Sequence, residues 1–301
     1  MEYIKDLYHD EIRNGFLVTS DRKKVWNRFL EIWSEVDRIC RKHKIKYQIS
    51  WGTLLGAVRH KGFIPWDDDF DMCMMRSEYN RFMDVLDDEL NDEFFEVKHK
   101  TFGITKIVHK NTTMIYSLHD PAIHLPQGIF IEIGALDIAP DGTENSVLAF
   151  NAIQEILTAV FSDLSELYEN KHLKNGGQLV MELDVLKKIA AMPFDDRLKE
   201  LYRYVDALWE QSTAVAGFTE ILADADIYKS PLRKEFLSET IYLPFETVEL
   251  PVPKRFDEVL TCWFGDWRTP VCDNANRLGI VHSADIPWRE FFRKINLQQF
   301  A

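Results

Sequence analysis

Residues 51–71 read Trp51-Gly52-Thr53-Leu54-Leu55-Gly56-Ala57-Val58-Arg59-His60-Lys61-Gly62-Phe63-Ile64-Pro65-Trp66-Asp67-Asp68-Asp69-Phe70-Asp71, and the organisation of the chain is read outward from them. A glycine and a hydroxyl stand at a strand-to-helix turn. Thr53 to His60 reads as a short helix stopped by Gly62, a residue suited to the position after a helix end. Three cations close the helix, a Pro65-Trp66 corner follows, and four aspartates fall within five residues. Asp69 to Met75 reads as a strand with Phe70, Met72 and Met74 on one face, so that Asp69 and Asp71 project together from the other.

Upstream, Asp21 to His43 predicts a helix, with Val25, Phe29, Ile32, Val36 and Ile39 at helical spacing and Ser20 or Asp21 as its cap. Tyr47 to Ser50 is a short strand. Downstream, Ser77 caps a helix carrying Phe82, Val85 and Leu86. Four β-rich segments follow: Phe94–His99, Thr105–Lys110, Thr113–Leu118 and Ile129–Ile133, the last apolar except for Glu132. Helices and strands interleave to about Pro140, which predicts an α/β or α+β sheet domain. Beyond Asp141-Gly142, residues 145–170, 178–191 and 195–216 have helical periodicity and no convincing strand. Ile241 to Pro253 alternates like a hairpin, Arg255 to Phe264 is a last substantial helix, and the tail is irregular and aromatic. The expected division is a core over 1–144, a helical subdomain over 145–225 and a closing segment over 226–301 that packs on the core.

The composition fits a globular chain. Of 301 residues, 46% are hydrophobic and 28% charged, which excludes disorder, collagen and coiled coil. Thirty-six basic against 49 acidic residues give a net charge of −13, so a general binder of nucleic acid or anionic lipid is not expected. Cys40, Cys73, Cys262 and Cys272 show no zinc spacing and read as reduced thiols. The N-terminus lacks an apolar signal region and no apolar run is long enough for a bilayer, so a cytoplasmic protein is expected.

Chemistry concentrates in the quoted stretch. Gly52-Thr53 opens a helix whose free N–H groups suit a phosphate, although Thr53 can equally be a simple cap. Asp69 and Asp71, side by side, repel unless a cation neutralises them, and Mg²⁺ (or Mn²⁺ in its place) takes carboxylates together with substrate phosphates. Asp67 and Asp68 stand at the entrance. Glu132, a lone acid inside an apolar strand, must be paired with a cation or ligate a metal, and Asp137 competes for that place. Arg59 and Lys61 are phosphate candidates, Arg59 first for its fork, yet both also complement the helix dipole.

Residues 52–71 resemble the signature of the LicD family, which comprises bacterial phosphocholine transferases and is related to the fukutin proteins. Ile129 to Asp137 resembles the family's second acidic strand, with glutamate at Glu132 where aspartate is usual and Gly134-Ala135 in place of a bulkier pair. Leu250–Pro253, Phe256–Leu260 and Phe264–Trp267 look like its closing motif, and Arg277 and His282 fall where its terminal basic residues are expected. Residues 145–225 match nothing in it. The resemblance implies a nucleotidyltransferase-type mixed sheet with a helical insertion and a Mg²⁺ site on Asp69, Asp71 and Glu132. It implies transfer of a phospho-alcohol such as phosphocholine from a CDP-linked donor to a hydroxyl of a surface glycan, lipopolysaccharide or teichoic acid, with CMP leaving. Such an enzyme would be cytoplasmic or peripheral at the inner membrane face, near a lipid-linked acceptor. Donor contacts would come from Gly52, Thr53, Arg59, Lys61, Asp67 and Asp137, with Trp66 or Trp51 stacking on the base or covering a quaternary ammonium. The other readings are a nucleotidyltransferase that uses an NTP and releases pyrophosphate, a metal-dependent glycosyltransferase, and a degenerate nucleotide- or glycan-binding protein without activity.

Overall fold

The computed structural model describes residues 2–101, 104–116, 125–136, 232–271 and 281–294, together with scattered residues between 152 and 203. It begins with a hairpin absent from the sequence reading: β1 (Glu11–Arg13) pairs antiparallel with β2 (Phe16–Val18). Asn14 and Gly15 both take positive φ, 50° and 79°, the requirement of a tight type I′ turn and the reason for Asn-Gly there.

Helix α1 (Ser20–His43) buries the expected stripe: Val25, Phe29, Ile32, Val36 and Ile39 are all at most 1% exposed. Its cap is Thr19, one residue before the expected pair, whose hydroxyl accepts the Arg22 N–H at 3.2 Å. After β3 (Gln48–Ile49), α2 (Trp51–His60) starts two residues earlier than the spacing suggested. Its end is also shifted, since Lys61 takes the left-handed position, φ 55°. Gly62 is small for a different reason: a Cβ there would lie 2.2 Å from Glu246 Oε1.

Strand β4 (Asp71–Met75) begins two residues later than predicted, and α3 (Arg76–Glu89) follows it directly, with no side-chain cap from Ser77. β5 (Phe95–Thr101), β6 (Ile104–His109) and β8 (Phe130–Leu136) complete a five-stranded sheet of order β3-β4-β8-β6-β5. The β3–β4 and β6–β8 pairs are antiparallel, Ile49 facing Met72 and Lys106 facing Glu132. Met72, Cys73 and Met74 are all buried, so β4 is covered on both faces and its polarity does not alternate cleanly. β7 (Thr113–Ile115) leaves this sheet and pairs with β11 (Val281–Ser283).

Helix α4 (Leu183–Ala191) lies within the helix expected at 178–191; most of the other two expected helices falls outside the described residues. The hairpin is present as β9 (Thr240–Phe245) and β10 (Val248–Pro253), and α5 (Phe256–Phe264) follows. The tail is more regular than expected. Besides β11 it forms α6 (Trp288–Lys294), whose Trp288 and Phe292 pack on Ile115.

Helices on a sheet partly closed by antiparallel hairpins make an α+β fold. The chain divides into two compact units, one of residues 1–99, 104–135 and 234–301, the other of residues 100–103 and 136–233. Residues 51–75 lie in the first and α4 in the second. Among the described residues no helix is long and apolar enough to cross a membrane, and Cys40, Cys73 and Cys262 form no disulfide.

Candidate active site

The site is assembled where α2 starts against the edge of β4. The Ser50 N–H donates to the Asp71 carbonyl at 3.1 Å, and the Thr53 hydroxyl accepts the Asp71 N–H at 2.9 Å. Thr53 is buried, and its oxygen fixes the first residue of β4 rather than capping α2. A Cβ on Gly52 would sit 2.6 Å from Asp67 Oδ2 and 3.8 Å from Asp69 Oδ1. Only glycine therefore lets these carboxylates lie over the start of the helix.

Residues 67–70 precede the strand, only the Phe70 carbonyl accepting a bond from β8 (the Glu132 N–H at 3.0 Å), so their side chains need not alternate. One carboxylate oxygen from each of Asp67, Asp68 and Asp69 lies within 4.8 Å of the others. Arg22 Nη1 donates to the Asp67 carbonyl at 2.7 Å and Trp26 Nε1 to the same oxygen at 3.4 Å. The Arg22 guanidinium is buried, which pulls its pKa down, and the Asp68 and Asp67 carboxylates oppose that shift. The Tyr116 hydroxyl donates to Asp68 Oδ2 at 3.2 Å. Enclosure of that hydroxyl end, with Asp68 and Asp69 beside it, pushes the phenol up, although 45% of the residue is exposed. Neither Arg22 nor Tyr116 was singled out in the sequence, where nothing local marks them.

Asp71 stands at the centre of the charge. Burial first, then Asp69, Glu132 and Asp67, hold its carboxyl well above the usual range, and Lys106 opposes them. Asp69, Glu132 and Asp67 thus lie near enough to bear on the Asp71 charge, whereas the carboxylate oxygens that converge within 4.8 Å are those of Asp67, Asp68 and Asp69. Glu132 is less buried than its apolar strand suggested, its side chain 31% exposed, and it has the cation partner that was one of the two alternatives: an ion pair with Lys106, opposite it across the β6–β8 register. Its link to the aspartates is its effect on Asp71. Carboxylate oxygens are the donors that Mg²⁺ or Mn²⁺ takes, and crowded like charges are what a divalent cation relieves. The donor set fits such an ion.

The remaining candidates are placed as follows. Arg59 points toward the C-terminal segment, donating Nε to His60 Nε2 at 3.0 Å and Nη1 to the Trp267 carbonyl at 2.9 Å. Lys61 is exposed at the end of α2. Trp66 is buried as a packing corner, edge-on to Phe16 and His60. Trp51 stacks on Trp263 instead. His282 lies on β11 opposite Met114, half-buried rather than in a solvated tail. Asp137 and Arg277 fall outside the described residues.

Residues 44–125 match the family described as LicD/FKTN/FKRP, nucleotidyltransferase domain. The chain is 27% identical over 248 residues to the lipopolysaccharide cholinephosphotransferase LicD of Haemophilus influenzae, an alignment covering 79% of this chain and 88% of that protein. It is also 38% identical over 69 residues to an uncharacterized protein of Rickettsia typhi, covering 23% of this chain and 22% of the relative. An uncharacterized protein of Rickettsia prowazekii is 41% identical over 56 residues, covering 19% and 21%. The family match spans the whole acidic stretch and its helix, and the alignment to the Haemophilus enzyme runs far beyond it: residues 44–125 are similar to the LicD-type nucleotidyltransferase domain, and the likeness to one LicD protein extends over most of the chain.

Proposed function

We propose that this protein is an enzyme that transfers phosphocholine from a CDP-linked donor to a hydroxyl of a cell-surface glycan of the lipopolysaccharide type, releasing CMP. The observation that carries the reading is the convergence of the Asp67, Asp68 and Asp69 carboxylates beside the start of α2, with Asp71 crowded by charge, in a chain whose alignment covers 88% of a lipopolysaccharide cholinephosphotransferase. Asp69, Asp71 and Glu132 would hold Mg²⁺ or Mn²⁺, with Asp67 beside them. When bound, the ion supplies positive charge against the phosphate oxygens and the departing CMP.

The chain's own groups do the rest. The acceptor oxygen attacks phosphorus in line, and the bond from phosphorus to the CMP oxygen breaks. Glu132, partly exposed and paired with Lys106, either completes the metal shell or takes the acceptor hydroxyl proton. Gly52 leaves backbone room for a phosphate at the helix start, where the dipole favours anions. Arg59 has bonds to His60 and Trp267 and none to a carboxylate among the described residues, so it remains a candidate for a phosphate oxygen at the edge of the site.

The test is thermal unfolding of the full chain with CMP, CTP, CDP-choline, CDP-ribitol, CDP-glycerol and UDP-glucose, with and without Mg²⁺, followed by transfer of labelled phosphocholine to lipopolysaccharide. Mg²⁺-dependent stabilisation by CDP-choline beyond CMP, with label transfer, is expected. Stabilisation by CTP and by no CDP-alcohol, with release of pyrophosphate, would replace this reading by nucleotidyl transfer.

A further inference from the structure

The Trp51 indole stacks on Trp263 with ring centroids 4.5 Å apart and planes 21° apart, and meets Phe264 edge-on at 6.1 Å. This cluster is not closed core: Trp51 and Trp263 are half-buried, and Phe264 is 41% exposed. Trp51 has φ 44°, a left-handed conformation that a bulky aromatic residue rarely takes. A residue needed only to start a helix would not be held so; the stack on α5 fixes it there.

The position of the cluster gives it a chemistry. Trp51 is bonded to Gly52, where a Cβ would lie 2.6 Å from Asp67 Oδ2 and 3.8 Å from Asp69 Oδ1. The aromatic cluster therefore adjoins, through Trp51, the acidic start of α2. An aromatic face attracts a cation through its quadrupole, and nearby carboxylates add a long-range attraction. A quaternary ammonium suits this surface best, because it carries no N–H donor, is weakly hydrated and has methyl groups to bury. A primary ammonium loses more hydration on the same faces. A polyol needs hydrogen-bond partners that ring faces do not offer.

We propose that Trp51, Trp263 and Phe264 form the platform that receives the quaternary ammonium of the donor and selects choline over primary amines and polyols. This rests on the phosphocholine reading above and deepens it, since it assigns headgroup selection to the meeting of α2 and α5, outside the carboxylates. The competing occupant is the donor's base, which also stacks on aromatic rings but is common to every CDP-alcohol.

The test is calorimetric titration of the full chain, in Mg²⁺, with CDP-choline, CDP-ethanolamine and CMP, for wild type, Trp263→Leu, Trp263→Phe and Phe264→Leu. Wild type is expected to favour CDP-choline over CDP-ethanolamine. Trp263→Leu should weaken CDP-choline roughly three- to tenfold, leave CMP unchanged and bring the two CDP-alcohols together. Trp263→Phe should keep most of the preference, and Phe264→Leu should lose part of it. Equal weakening of CMP would assign the platform to the base and overturn the proposal, as would a choline preference untouched in both leucine variants. Wild type that binds no CDP-alcohol beyond CMP would sink the phosphocholine reading and the platform with it. A wild-type preference that survives Trp263→Leu and Phe264→Leu would sink the platform alone.

Discussion

Replacing Gly52 by alanine tests whether the carboxylate over the helix start belongs to the working site. Gly52 is the second residue of α2, where alanine is the better helix former by up to about 1 kcal/mol. Against that gain, the new Cβ would lie 2.6 Å from Asp67 Oδ2, and real Cβ contacts essentially never come under 3.0 Å. Something must move by at least several tenths of an ångström. The Asp67 backbone cannot move easily, because its carbonyl is held by Arg22 and Trp26. The Asp67 side chain therefore turns away, and an off-rotamer carboxylate costs roughly 0.5–1.5 kcal/mol. The two effects nearly cancel, so the unfolding temperature without metal should stay within about 4 °C of wild type. The site should not be spared. Displacing one oxygen donor from the cluster is expected to weaken Mg²⁺ binding by about 10- to 100-fold, as loss of a supporting ligand does elsewhere. The assay is a Mg²⁺ titration followed by unfolding temperature and by turnover, beside Asp67→Asn as the reference. Unchanged Mg²⁺ affinity and turnover in Gly52→Ala would refute the argument that this glycine exists to admit the carboxylate.

Asp71→Asn should reduce turnover by at least about 10²-fold, the usual effect of deleting one preorganised electrostatic group. The same variant should not melt lower than wild type in the absence of Mg²⁺, because it removes a carboxylate that burial, Asp69, Glu132 and Asp67 all penalise; a lower melting temperature would contradict that electrostatic picture. Glu246→Ala should cost about 2 kcal/mol in urea unfolding. Its carboxylate takes Arg13 Nη1 at 2.5 Å, Arg13 Nη2 at 3.1 Å and the Phe63 N–H at 3.2 Å, and stability within error of wild type would show these contacts to be idle. His60 is held neutral down to about 4 by burial and by the Arg59 and Arg13 charges, while its ring meets Asn14 Nδ2 and the edge of Trp66. The unfolded chain takes up that proton first, near 6.5, so His60 contributes no pH dependence above that value. Stability falls as pH drops from 6.5 to 4, then levels off. His60→Asn should flatten this part of the stability profile, and an unaltered slope would remove His60 as its source.

Much of the fold was legible because its signals are local. The α1 stripe and the β9–β10 alternation both follow from spacing within a few residues. The Asn14-Gly15 turn is an equally local signal, but its three-residue strands are too short to show alternation. What could not be read is what distant segments bring to the site. Arg22 from α1, Tyr116 after β7 and Glu246 at the β9–β10 turn all grip the 62–68 loop, yet each stands far from it in sequence. Burial was misjudged at Glu132 because an apolar neighbourhood in sequence does not say whether a strand's polar face is covered, and the cross-strand partner Lys106 is invisible without the register.

The late start of β4 changes the argument for the cluster itself. Strand alternation would have paired Asp69 with Asp71 and turned Asp68 toward the opposite face. Because residues 67–70 precede the strand, three consecutive aspartates can converge, and their oxygens do so within 4.8 Å. Convergence does not make the three equivalent. Asp68 is buried and receives the Tyr116 hydroxyl, whereas Asp67 and Asp69 keep solvent access and border Gly52 and Asp71. Asp68→Asn should therefore act mainly on how the 62–68 loop is held: Tyr116→Phe should reproduce its effect on KM, and Mg²⁺ binding should weaken less than it does in Asp69→Asn. Asp69→Asn should instead abolish turnover with the fold intact. If Asp68→Asn weakened Mg²⁺ binding as much as Asp69→Asn, all three aspartates would have to be counted as ligands, and the division between Asp68 and its neighbours would be wrong.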